Sequence, residues 1–184
     1  MKVLLGITGS VAATLSKKLV QALHNAEHEV RVVVTPQSQY FFSKKCLGVQ
    51  VYTEAEEWPN VSYQKGEDIQ HIELSKWADV LLIAPLTANT LAKMANGLSD
   101  NLLTCIARAW SLSKPIVVAP AMNTEMWKHP LTTRQIDILT AIYETGFNLV
   151  HPVAKMLACG DEGVGAMAQI NDIVEAVNES IFYI

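Results

Sequence analysis

Three side chains in this sequence carry the groups needed for acid–base chemistry on a small substrate: the thiol of Cys159, the imidazole of His71 and the carboxamide of Asn123. Cys159 stands in Leu157-Ala158-Cys159-Gly160-Asp161-Glu162-Gly163-Val164-Gly165-Ala166-Met167, a run that reads as too glycine-rich for a regular element. Gly160, Gly163 and Gly165 predict a loop that closes over a ligand and brings backbone N–H groups near it. A thiol on such a lid can donate a proton or attack, whereas a thiol in a core fills space, and this segment alone leaves both roles open. Asn123 lies in Pro120-Ala121-Met122-Asn123-Thr124-Glu125-Met126-Trp127. A carboxamide donates two hydrogen bonds to a carboxylate without adding charge, which suits a site where that carboxylate must leave as carbon dioxide. The neighbouring methionines and tryptophan fit a core as well as a ligand wall. His71 opens His71-Ile72-Glu73-Leu74-Ser75-Lys76-Trp77, and spacing alone does not make a lone histidine catalytic. His24, His28, His129 and His151 stand beside no comparable constellation. No histidine and carboxylate set has metal-ligand spacing, and no serine or cysteine sits on a nucleophile elbow.

The elements that must position these groups read as an open α/β sheet. Continuous apolar runs at Val3 to Ile7, Val30 to Val34, Val80 to Ala84 and Ile116 to Ala119 predict strands buried on both faces, as in a parallel sheet. Helical patterns lie between them: from a Ser10 cap to about Ala26, over Thr90 to Ala95, over Leu102 to Trp110, and over Leu131 to Thr145 until Gly146. The alternation predicts a doubly wound fold whose ligands bind beyond the carboxyl ends of the strands. Phe42 to Asp68 follows no pattern and stays open.

Four loops then become candidates. Gly6-Ile7-Thr8-Gly9-Ser10 joins a strand to a helix and reads either as a phosphate cradle or as a structural tight turn; it lacks both the G-x-G-x-x-G spacing and a P-loop lysine. Thr35-Pro36-Gln37-Ser38 ends the second strand with hydroxyls where an NAD site carries an acid, which points to a mononucleotide. Thr87-Ala88-Asn89-Thr90 offers hydroxyls and an amide to the edge of a planar heterocycle, unless Asn89 or Thr90 only caps the next helix. The fourth loop is the Asn123 segment.

Composition narrows the class. A chain of 184 residues fits one domain, with no room for a second catalytic one. Half the residues are hydrophobic and 17% are charged, as in a compact protein with much buried surface, some of it between subunits. A net charge of -4 gives no basic field for nucleic acid. Cysteines 46, 105 and 159 are odd in number with no CxxC pair, against a disulfide framework or zinc site. No apolar run approaches a membrane span and none suits a signal peptide, so a soluble, cytoplasmic protein is expected.

Together these segments resemble the flavin-dependent cysteine decarboxylases over nearly the whole chain. His71 through Asp79 looks like the family's histidine segment, Pro120 through Trp127 matches its P-x-M-N-x-x-M-W motif, and Ala158-Cys159-Gly160-Asp161 with Gly163, Gly165 and Met167 looks like its substrate clamp. The resemblance implies one flavodoxin-like or Rossmann-like three-layer domain over residues 1–184. It also implies a homotrimer or a multiple of trimers, with each site at a subunit boundary. The implied cofactor is FMN. Gly9, Ser10, Thr35 and Ser38 would lie near its phosphate and ribityl chain, and Thr87, Ala88, Asn89 and Met122 near its ring, with Val11, Phe41 and Thr90 completing the set.

The implied substrate is 4'-phosphopantothenoylcysteine of coenzyme A biosynthesis. Asn123 would bind its carboxylate, with Met126, Ala158, Gly160, Gly163, Gly165 and Met167 around it. His71 would act as base or orienting group in oxidation, and Cys159 would supply a proton to the enethiol. Gln169 departs from the acidic residue often found there in relatives, and the ligase domain fused to many bacterial relatives is not expected. Peptidyl-cysteine decarboxylases generally lack the clamp cysteine, flavin prenyltransferases do not decarboxylate cysteine, and phosphatase-binding regulatory homologues often carry long acidic extensions. Cys159 and the absence of such extensions favour the decarboxylase.

Overall fold

The computed structural model describes residues 1–58, 60, 62, 65–156 and 162–180. Its main sheet has six parallel strands: β1 (Lys2–Ile7), β2 (Glu29–Val34), β3 (Val51–Tyr52), β4 (Val80–Leu86), β5 (Ile116–Pro120) and β6 (Phe147–Leu149). They run in the order β3-β2-β1-β4-β5-β6. That is the strand order of Rossmann sheets; without the two-residue edge strand β3 it is the flavodoxin order. Both descriptions drawn from the sequence therefore apply, and the short edge strand alone separates them.

Alternation along the strands divides the core into two layers. Val3, Leu5 and Ile7 of β1 join Val32 and Val34 against α1 (Ser16–Asn25) and α8 (Ile170–Glu179), where Leu19, Leu23, Ile173 and Val177 are buried. Leu4, Val33, Leu81 and Ile83 face the opposite way, toward α3 (Gln70–Trp77), α4 (Ala88–Asn96), α5 (Leu102–Arg108) and α7 (Pro130–Tyr143). Each fully buried leucine or isoleucine contributes about 1.5–3 kcal/mol relative to exposure, so neither layer is dispensable. Gly6 takes its place in the second layer because a Cβ there would lie 2.5 Å from Leu103 Cδ1.

Several expectations need correction. The first helix does not run from Ser10: Val11–Leu15 forms a 3-10 turn capped by Ser10, and the α-helix begins at Ser16. The stretch left open contains β3 and a four-residue helix, α2 (Glu54–Glu57), held by a Thr53/Glu56 capping box. β6 was not foreseen, being three residues directly after Gly146. The glycine-rich run is also more regular than its composition suggests. Val153–Met156 (β7) and Glu162–Ala166 (β8) pair antiparallel as a separate hairpin. Glycine weakens a strand but does not forbid one, and here it permits the close backbone approach described below. Among the described residues no helix is long and apolar enough to cross a membrane.

The layers change sides between β1 and β4, opening a crevice at their carboxyl ends. Thr8 ties the two lips of that crevice. Its buried Oγ1 donates to Pro85 O at 2.7 Å and accepts from Thr87 N–H at 3.0 Å. Thr8→Val keeps the shape and the 3.3 Å bond from Thr8 N–H to Pro85 O, but it removes that carbonyl's second donor and leaves Thr87 N–H without its acceptor, so stability should fall by about 1–3 kcal/mol. A chemical denaturation curve with unchanged slope and a lower midpoint would show this; an unmoved midpoint would mean that the lips are held otherwise.

Candidate active site

Four segments meet at the crevice. After β1, Gly9 packs so closely on the loop after β2 that a Cβ would lie 2.6 Å from Gln37 Cβ. Ser10 then caps the 3-10 turn, its Oγ accepting from Ala12 N–H at 3.3 Å. After β2, Thr35 and Ser38 are buried, Ser38 Oγ donating to Thr35 O at 2.7 Å and Thr35 Oγ1 to Ile7 O at 3.4 Å. Their hydroxyls shape the loop from inside, and the half-buried Phe41 follows them. After β4, Thr87 caps α4 by accepting from Thr90 N–H at 3.4 Å. The cap weighed as an alternative at Asn89 or Thr90 falls instead on Thr87; Thr90 is buried, Ala88 is half-buried and Asn89 is exposed.

After β5, Asn123 caps α6 (Thr124–Lys128), its Oδ1 accepting from Glu125 N–H at 2.8 Å. The carbonyl end of the amide is committed to the cap, so what Asn123 offers a ligand is its NH₂, the donor end that a carboxylate requires. Sequence reading weighed capping for the α4 loop and not here, and both roles meet in one residue.

The hairpin seats on this same loop. Met122 N–H donates to Gly165 O at 2.9 Å. A Cβ on Gly165 would collide with Met122 O and one on Gly163 with Thr124 Oγ1, so both glycines are demanded by backbone approach. Among the described residues Thr124 Oγ1 is buried without a hydrogen-bond partner. Ala158, Cys159 and Gly160 lie outside the described residues.

These contacts enclose a cavity of about 750 Å³ between the Ser10–Leu15 turn, Ala121–Asn123 and Gly165–Asn171. It brings together Ser10, Val11, Met122, Asn123, Gly165 and Met167 of the expected residues. Gly9, Thr35, Ser38, Phe41 and the Thr87–Thr90 loop do not line it, Gly163 packs on α6, and Met126 is exposed on that helix. Gln169, noted beside the clamp motif, also lines it, as do Lys18 and Asn171, which were not anticipated. The volume suits a cofactor with a substrate, and the apolar walls at Val11, Met122 and Met167 suit a flat ring.

His71 is not on this wall. It lies in the first turn of α3, in the other layer, with its Nδ1 2.5 Å from Glu57 Oε1. Glu57 Oε2 also accepts from His71 N–H at 3.1 Å. Sequence reading missed Glu57 because it lies in the stretch left open; the Thr53-x-x-Glu56 pattern was the signal for a helix there. Nearby, burial first and then the Glu57, Glu54 and Asp100 carboxylates push the Cys105 thiol up, away from a nucleophilic role. Among the described residues no cluster of three or more metal-ligating side chains occurs.

Comparison with known proteins follows this geometry. The flavoprotein family model matches residues 1–182. The phosphopantothenoylcysteine decarboxylase of Mus musculus is 46% identical over 177 residues, covering 96% of this chain and 85% of that protein. A PPC decarboxylase cysteine-to-serine variant complexed with pantothenoylaminoethenethiol superposes with a TM-score of 0.90 at 47% identity, covering 99% of this chain and 97% of the other. The FMN binding protein AtHal3 gives 0.86 at 48% identity, covering 97% and 95%.

The seat of the hairpin is open to test. Gly165 has φ of 151°, so Gly165→Ala adds backbone strain of about 1–3 kcal/mol to the collision with Met122 O. The hairpin should lift while the main sheet persists, seen as faster amide exchange at Met122 with protected β1 and β4. Wild-type protection at Met122 would refute this account of the seat.

Proposed function

The chain belongs to the flavoprotein family, and from that premise we propose that it is an FMN-dependent phosphopantothenoylcysteine decarboxylase. It converts 4'-phosphopantothenoylcysteine to 4'-phosphopantetheine and carbon dioxide in coenzyme A biosynthesis. The observation that carries this reading is the groove itself, which brings Ser10 and Val11 together with Met122, Asn123, Gly165 and Met167.

The reaction explains these residue types. A cysteine carboxylate has no neighbouring electron sink, so direct loss of carbon dioxide would leave an unstabilised carbanion. FMN would be held by Gly9, Ser10, Val11 and Met122 and, when bound, would supply the electron chemistry, taking two electrons from the thiol-bearing carbon at the start and returning them at the end. His71 accepts the thiol proton as that carbon becomes a thioaldehyde. Asn123 holds the carboxylate by neutral donors until it departs, and the electron pair passes into an enethiolate. Cys159 then gives a proton to carbon, readying it for reduction.

His71 belongs to a different layer from the groove, and this supports a site completed by a neighbour. The protein is accordingly a homotrimer or a multiple of trimers, working in the cytoplasm. Light scattering should report such a mass; a monomer with full decarboxylase activity would refute the shared site.

Denatured holoprotein should release FMN and neither FAD nor NAD. His71→Asn should keep FMN but cut its anaerobic reduction by substrate to a slow residual rate, and rapid bleaching would remove His71 from the oxidation. Asn123→Asp sets a like charge against the substrate carboxylate, so turnover should fall by about 10²-fold or more in a desolvated site; unchanged turnover would place that carboxylate elsewhere. Cys159→Ser should still release carbon dioxide but leave the flavin reduced and accumulate the enethiol, lighter than 4'-phosphopantetheine by two hydrogens. Normal product from Cys159→Ser would return this cysteine to a packing role.

A further inference from the structure

We propose that Glu57 is a positioning residue that fixes the Nδ1–H tautomer of His71 and leaves Nε2 as the proton acceptor. This rests on the reading of His71 as the base in the oxidation step. The Glu57 side chain is 3% exposed, and both of its oxygens accept from one residue, Oε1 from the imidazole and Oε2 from the backbone N–H. Among the described residues its one ion-pair partner is His71. A buried carboxylate is costly unless its lone pairs are met, so this one is built around His71.

Its own position is fixed from both sides. The capping box at Thr53 closes the start of α2, and Glu54 accepts from Leu102 N–H at 3.0 Å, tying α2 to the start of α5. The far end of α3 is held as well, Lys114 Nζ donating to Ser75 O at 3.1 Å and Ala78 O at 2.6 Å. A carboxylate accepts only, so the ring nitrogen facing it must carry hydrogen, and a neutral ring then keeps its lone pair on Nε2. With 25% of its side chain exposed, His71 can meet a ligand while remaining anchored.

Capping the N-terminus of α3 is the rival role, and Glu57→Gln separates the two. A carboxamide has one acceptor oxygen for two donors. It can keep the cap, but its NH₂ then faces Nδ1 and favours the opposite tautomer.

The readout independent of turnover is the ¹⁵N spectrum of histidine-labelled protein. Wild type and Glu57→Asp, which retains two acceptors, should show His71 protonated at Nδ1, and Glu57→Gln should lose that preference. Anaerobic flavin reduction by substrate should slow about 10²–10⁴-fold in Glu57→Gln, the range for loss of a correctly poised base. In a His71→Asn background the same change should add less than about twofold, because Glu57 acts through the ring. An unchanged tautomer in Glu57→Gln, or equal slowing in both backgrounds, would overturn the proposal. Should His71→Asn alone reduce flavin at the wild-type rate, the assignment of the base fails, and the tautomer spectrum still decides whether Glu57 sets the ring.

Discussion

A single buried hydroxyl fixes the geometry on which the groove depends. Adjacent strands β1 and β4 send their chains to opposite layers, so their carboxyl ends have no common helix to hold them. Thr8 Oγ1 supplies that link by donating to Pro85 O and accepting from Thr87 N–H. The turn carrying Ser10 and Val11 and the cap carrying Thr87 both start within two residues of these contacts. Rigid strands thus place irregular loops, with hydrogen bonds replacing the packing that secondary structure would otherwise give.

The second constraint is backbone approach. Gly9 against Gln37, Gly163 against Thr124 and Gly165 against Met122 each occupy a position where a Cβ has no room. The last two lay the hairpin on the loop after β5, meeting its main chain at Gly165 and the Thr124 side chain at Gly163. The Met122–Gly165 hydrogen bond is one such main-chain contact.

Legibility in the sequence followed burial. The four long strands are continuous Val, Ile and Leu runs because both faces are covered, and their loops could be ranked as ligand sites from strand order alone. β3, β6 and β8 were illegible because two to five residues, or a run with two glycines, carry no period. Asn123 was legible from chemistry and motif together. Glu57 was not: it is a buried acid in a charged stretch, its role created only when α2 meets α3, and the nearby capping box announced a helix without its destination.

Topology also bears on why the chemistry would be divided between chains. A crossover helix runs antiparallel to its strands, so the first turn of α3 reaches the carboxyl-end side of the sheet, the level of the groove. It does so on the α3/α5 layer, whereas the Ser10 turn and the start of α8 bound the groove on the other. Six strands stand between the two layers, and the Glu57 contacts hold the imidazole in its own layer. A heterologous contact that sets the α3 face of one copy against the groove of the next can close as a ring, giving equivalent sites without an unpaired end. In such a ring the Glu57 carboxylate would be a fixed part of the surface one subunit lends to another, and the order of the imidazole would be established before assembly rather than by it.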